Sequence, residues 1–210
     1  MIVQFDHITF ACGRDELEET INNFSSYEQV FHEKNLLNIE AKKKLLMSDL
    51  GSHDIILLRD PNGGVSVEIT AYDSVDGIGK YDINNKYIYI YTNRNKICES
   101  FNFYSALGFK YDLNGFIEIN PLIGVTPVRF NLIETKDMYD YYLDNRGYCC
   151  ISLVTNNAMK EKKRIDAKGI TTTEINQLRV QGKIFDIFFA YNNIGDTVEF
   201  ISPHSSKDVQ

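Results

Sequence analysis

Asp60-Pro61-Asn62-Gly63-Gly64-Val65-Ser66-Val67-Glu68-Ile69 changes character halfway along. Its first half is a turn: Pro61 presets its own φ, and Asn62-Gly63 tolerates the positive φ of a tight turn. Its second half alternates as a strand, with Val65, Val67 and Ile69 on one face and Ser66, Glu68 and Thr70 on the other. A carboxylate therefore stands mid-strand on the polar face of a half-buried sheet. A single such Glu reads as an exposed strand residue in an ion pair. Here the design recurs in Asn193-Ile194-Gly195-Asp196-Thr197-Val198-Glu199-Phe200-Ile201. Asn and Gly turn signals again precede a strand with one Glu between apolar neighbours.

Working outward from Glu68, the preceding residues read as strand, helix and strands. Residues 2–11 alternate as a strand, and Leu17, Ile21 and Phe24 give 14–24 a helical apolar face. Residues 27–33 read as a weak strand. Residues 35–50 carry Leu37, Ala41 and Leu45 at helical spacing, which predicts an inserted helix. Residues 54–59 form an apolar strand before the turn. The order restarts at residue 86: a Tyr/Ile strand to 91, a helix over 95–107 stopped by Gly108, and three strands in 109–133. It restarts again at 147, with a helix over 156–168 stopped by Gly169 and strands at 183–191 and 198–200. The expected units are 1–73, 86–134 and 147–203, joined by linkers 74–85 and 135–146. Three restarts of one element order mark a repeat architecture.

Composition narrows the partners. The 210 residues carry a formal net charge of −7, which disfavours nucleic acid and anionic membrane surfaces. The basic run Lys42-Lys43-Lys44 reads as the solvated face of a helix. No stretch approaches the ~18 apolar residues of a membrane span, and the first residues lack a signal-peptide pattern. Cys12, Cys98, Cys149 and Cys150 show no framework spacing. A cytoplasmic protein with reduced thiols is expected.

Aligning the units by first strand and helix start superimposes His7, Tyr87 and Cys150, and their last strands align Glu68, Asn131 and Glu199. Unit one thus offers a His and a Glu on one sheet face, and unit three a Cys and a Glu. His32, His53 and His204 have no comparable context. These motifs resemble the vicinal oxygen chelate superfamily of glyoxalases, extradiol dioxygenases and bleomycin-binding proteins. Phe103-Tyr104-Ser105-Ala106-Leu107-Gly108-Phe109 is similar to its helix-end signature. Phe5-Asp6-His7-Ile8-Thr9 resembles its module-opening strand, and Asp60-Pro61-Asn62-Gly63 to Glu68 its module-ending strand.

The resemblance implies an α+β fold of repeated βαβββ modules, with bent, barrel-like mixed sheets and helices on the outside. It also implies a divalent metal (Zn, Fe, Mn or Ni) held by His7, Glu68 and Glu199, with Cys150 as fourth ligand. Substrate oxygens would chelate the ion, and Glu68 or Glu199 would act in catalysis as the base. The expected activity is that of an isomerase, lyase or dioxygenase on a small oxygen-rich molecule. The alternative is a metal-free binding or sequestration protein of the bleomycin-resistance type. Its pocket would be lined by Tyr87, Tyr89, Asn131 and Arg129. Modules of this kind pair, and which two of the three do so is open in the sequence. A homodimer is expected, because an odd module count leaves one sheet edge without an internal partner.

Overall fold

The turn at residues 60–63 forms where its chemistry places it. Gly63 has φ +76°, its N–H donates to the Asp60 carbonyl at 3.1 Å, and the Asn62 N–H donates to the Asp60 carboxylate at 2.8 Å. The strand that follows runs Ser66–Tyr72. The structure is a computed structural model; it describes residues 2–48, 51–84, 87–93, 95–112, 116–119, 128–136 and 142–204, with backbone only at 84, 87 and 128.

Module one comprises β1 (Ile2–Gly13), α1 (Leu17–Asn23), β2 (Glu28–Leu37), α2 (Glu40–Lys43), β3 (Ser52–Arg59) and β4 (Ser66–Tyr72). Two strands follow, β5 (Asp76–Ile78) and β6 (Tyr81–Asn84). Module two holds β7 (Tyr87–Asn93), α3 (Ile97–Leu107), β8 (Lys110–Tyr111), β9 (Phe116–Ile119) and β10 (Val128–Thr135). Module three holds β11 (Asn145–Thr155), α4 (Ala158–Asp166), β12 (Thr171–Thr172), β13 (Asn176–Val180), β14 (Lys183–Tyr191) and β15 (Thr197–Pro203). Asn157 caps α4 by accepting from the Lys160 N–H, and Gly108 ends α3 in the left-handed region. The architecture is α+β, a mixed sheet of βαβββ modules.

Modules one and three pair, which the sequence left open. β1 and β11 run antiparallel, with His7 opposite Ser152 and Thr9 opposite Cys150. The strands then read β2-β3-β4-β1-β11 in one direction and continue through β15 and β14 to β13. This sheet bends until its outer strands meet. Glu33 of β2 accepts from the backbone N–H and side-chain amide of Gln181, in the β13–β14 turn, at 2.9 and 3.0 Å. One apolar cluster joins Ile8, Val67, Ile69, Ile151, Leu153, Val198 and Phe200 to Ile88, Ile90 and Phe130 of module two. Phe10 is only partly buried against this cluster.

Two stretches depart from their sequence reading. The described residues of the stretch 35–50 hold a single helical turn, because β2 runs on to Leu37, paired with Ser52. Strand pairing there supplies the backbone bonds that a short helix would have to nucleate for itself. The linker 74–85 contains β5 and β6. β6 pairs with β7 over four residues and touches β11 at Tyr81–Tyr148. It therefore covers one edge of β7. Within linker 135–146, residues 137–141 lie outside the described residues, and Asn145 already belongs to β11.

Gly79 sits between these two strands, where its N–H donates to the Arg146 carbonyl at 2.8 Å. A Cβ there would collide with the Tyr148 carbonyl. Backbone cannot swing aside as a flexible side chain does, so Gly79→Ala is expected to destabilise the protein by about 1–3 kcal/mol. The shift in urea midpoint checks this.

Candidate active site

The register of four neighbouring strands gathers the site. On parallel strands β1 and β4, Thr9 lies opposite Glu68, and His7 is two residues before Thr9. On parallel strands β11 and β15, Ser152 lies opposite Glu199. The antiparallel β1–β11 seam sets His7 opposite Ser152. Glu68, His7 and Glu199 thus converge from β4, β1 and β15.

His7 Nε2 lies 3.6 Å from an oxygen of Glu68 and 3.6 Å from an oxygen of Glu199. The imidazole is 2% exposed and the two carboxylates 15% and 14%. Nε2 is buried and has no hydrogen-bond partner among the described residues. The other ring nitrogen, Nδ1, is 2.8 Å from the Asp6 carboxylate. Adjacent strand residues ordinarily point to opposite faces, but the β1 register slips between Phe5 and His7, and Asp6 lies in that slip. Ser152 Oγ donates to the Glu199 carboxylate, and Thr70 Oγ1 to Glu68 at 3.3 Å.

Burial opposes charge on His7, yet Glu68, Asp6 and Glu199 outweigh it and raise its proton affinity well above the ordinary value. Burial also raises the proton affinity of Glu68; His7 and Lys42 offset part of this, while Glu199 adds to it. A carboxyl group tuned upward beside an imidazole is the arrangement that general acid–base chemistry uses.

A cavity of about 510 Å³ opens over these groups. Ile39, Ile55, Leu57, Leu178, Ile187 and Phe189 supply apolar wall, and Lys42, His53 and Arg59 add polar groups. None of Tyr89, Asn131 or Arg129, expected to line the metal-free pocket, lines this cavity. The cavity lies between modules one and three, while module two packs through Ile88, Ile90 and Phe130. Tyr89 and Asn131 are half-buried, and Arg129 is exposed, paired with Glu118 at 3.3 Å. The Tyr87 side chain lies outside the described residues.

Cys150 is also placed apart. The β1–β4 and β11–β15 registers make it the equivalent of His7, but it does not line the cavity. Its thiol is buried against the Ile151 and Thr197 carbonyls, at 3.4 and 3.8 Å. Burial, with the Glu199 charge, holds its pKa well above the thiol range, whereas metal ligation needs the thiolate.

Three donor atoms remain for a divalent ion: His7 Nε2 and one oxygen each from Glu68 and Glu199. Ligand bonds of about 2.0–2.2 Å span up to about 4.2 Å between two donors, so separations of 3.6 Å fit one shared ion. The Asp6–His7 bond is the backing that metal-binding imidazoles commonly have. Among the described residues, however, no group of three or more His, Cys, Asp or Glu is already drawn together as an ion-holding set. The distances from His7 to each carboxylate are ones that a shared ion could span.

Asp6, Lys42, His53 and Ser152 escaped the sequence reading. Alternation placed Asp6 on the far face, Lys42 was absorbed into a charge run, and His53 lacked a motif. Only Ser152 carried a signal, two residues beyond Cys150 on the same face.

No family model matches the chain, and no curated protein matches it. Among solved structures, it is similar to methylmalonyl-CoA epimerase from Mycobacterium tuberculosis, with TM-score 0.47 and 11% identity over 100% of this chain and 93% of that one. It is also similar to Streptomyces coelicolor methylmalonyl-CoA epimerase in complex with 2-nitronate-propionyl-CoA, with TM-score 0.46 and 12% identity over 98% and 97%. A variant of glyoxalase I from Zea mays gives TM-score 0.39 and 14% identity over 94% and 67%. Similarity at this level does not bear on what this chain binds or converts. No helix among the described residues is long and apolar enough to cross a membrane.

Proposed function

We propose that this chain is a metal-dependent enzyme of the vicinal oxygen chelate type, an isomerase or lyase that moves a proton on a small oxygen-rich molecule. His7, Glu68 and Glu199 would hold the ion. The observation that carries this reading is His7 Nε2: buried, without a hydrogen-bond partner among the described residues, and equidistant from two carboxylates. A bound divalent ion supplies Lewis-acid stabilisation to a developing enolate or oxyanion on the substrate.

The chain's own groups do the rest. Asp6 accepts from His7 Nδ1–H and so keeps Nε2 as the lone-pair nitrogen. Glu68 would leave the ion to take a proton from the substrate carbon and then return it. Ser152 Oγ–H orients Glu199. The apolar walls exclude water and strengthen these charges.

A second reading is metal-free binding or sequestration in the same cavity. The observation in its favour is that the acidic and His groups are not drawn together as an ion-holding set among the described residues. Titration of the purified protein with Mn²⁺ or Zn²⁺ separates the two. One ion per chain is expected, with His7→Ala weakening binding by about 100-fold or more and urea denaturation reporting that the variant is folded. Equal binding by both proteins, or by neither, favours the metal-free reading.

A further inference from the structure

We propose that Lys42 forms an anion subsite in this cavity, so that the molecule bound there is a small organic carboxylate with an apolar body. The inference rests on the cavity being the functional site, and it adds the charge and orientation of the ligand.

Lys42 belongs to the one-turn helix α2, and the segment around it is tied down by distant parts of the chain. The Ala41 N–H donates to Asn176 Oδ1 at 2.6 Å. The Met47 and Ser48 N–H groups donate to the Asp144 carboxylate at 2.8 and 3.1 Å. Leu45 accepts through its carbonyl from the Leu143 N–H at 2.8 Å. The ammonium is therefore delivered to the cavity by a braced backbone.

The two groups in direct contact with it are neutral, and Glu68 acts on it only from a longer range. Lys42 Nζ donates to His53 Nε2 at 3.2 Å and lies 5.5 Å from the centre of the Tyr72 ring. Next along the chain, Lys43 pairs with Glu40 at 2.6 Å, whereas no carboxylate among the described residues forms an ion pair with Lys42. His53 cannot share the charge: burial, with Lys42 and Arg14 nearby, depresses its pKa to about 2. It is a fixed acceptor that takes one of the three ammonium donors.

A second observation is independent of the lysine. His53 is 1% exposed and lines the same cavity, and its Nδ1, which carries the proton when Nε2 accepts, has no partner among the described residues. The Tyr72 ring lies tilted beside it, 5.6 Å between centroids, and the Tyr72 hydroxyl is likewise buried with no partner among the described residues. A half-buried cation and an N–H donor unpaired among the described residues, at one wall of a cavity that Arg59 and Lys183 also line, suit an anionic head group. The volume of about 510 Å³ sets the size. With its carboxylate on Lys42, the ligand's other end is turned toward His7, Glu68 and Glu199, which makes Lys42 a specificity-determining residue.

The test compares 4-methylpentanoate with the isosteric, uncharged 4-methylpentanamide by calorimetry. The four proteins are wild type, Lys42→Met, Lys42→Arg and His7→Ala. A charged hydrogen bond of this kind corresponds to about a 10- to 100-fold preference for the carboxylate. That preference is expected in the wild type, to be lost in Lys42→Met, and to be restored in Lys42→Arg. Equal binding of the two probes, or binding of neither, overturns the proposal. So does a preference that survives Lys42→Met but vanishes in His7→Ala, which would put the anion at the metal-binding groups. A preference that follows Lys42 in a protein that takes no divalent ion removes the metal-dependent reading alone.

Discussion

Asp196→Asn is expected to destabilise the protein by about 3–5 kcal/mol, because it leaves a buried ammonium without its counter-charge. Asp196 is fully buried, and Lys80, its partner, is 3% exposed. The Lys80 ammonium also donates to the Ile194 carbonyl at 3.2 Å. Asp196 accepts further from Asn192 Nδ2 at 2.8 Å and from the Tyr104 hydroxyl at 3.4 Å. Beside it, the Tyr81 hydroxyl donates to the Thr197 carbonyl at 2.9 Å. Residues from the segment before module two, from α3 and from the start of β15 thus share one dry polar joint. Lys80→Met combined with Asp196→Leu is expected to cost less than the sum of the single changes, since it removes both charges together. A urea-midpoint shift corresponding to less than about 1 kcal/mol for Asp196→Asn would show that the joint does not hold module two in place.

Glu68→Gln is expected to move ion affinity and stability independently. Affinity for a divalent ion should fall by about 100-fold or more, because an amide oxygen lacks the charge that hard and borderline cations seek. Stability should stay within about 1 kcal/mol of the wild type. The Gln amide can donate to the orphaned His7 Nε2, and repulsion from Glu199 is relieved. Parallel denaturation and ion titration measure the two effects. Unchanged ion affinity would remove Glu68 from the ligand set.

Where local pattern and tertiary environment agree, the sequence was a sufficient guide. Lys183–Tyr191 is a strand at the bounds its apolar run marked. Glu68 and Glu199 sit on one sheet face with His7 because alternation survives in any half-buried strand. What the sequence hid came from long-range pairing. β5 and β6 lie in polar, glycine-containing chain, and they become strands only because β7 and β11 supply their partners. Leu37 looked helical by spacing, yet it is 76% exposed at the end of β2.

The repeat alignment located Cys150 at the right position without revealing its chemistry, since two equivalent positions in paired modules need not both face the cavity. Lys42 shows the converse. Within a run of three lysines its side chain is chemically unmarked, and only the folded chain turns it toward His53 while Lys43 stays with Glu40.

Anomalous diffraction from crystals soaked in Mn²⁺ tests the central claim, that modules one and three together build one ion site. The expected result is a single peak within bonding distance of His7 Nε2, Glu68 and Glu199, absent from His7→Ala crystals treated in the same way. A peak elsewhere, or no peak between these three side chains with Mn²⁺ in excess, would contradict it.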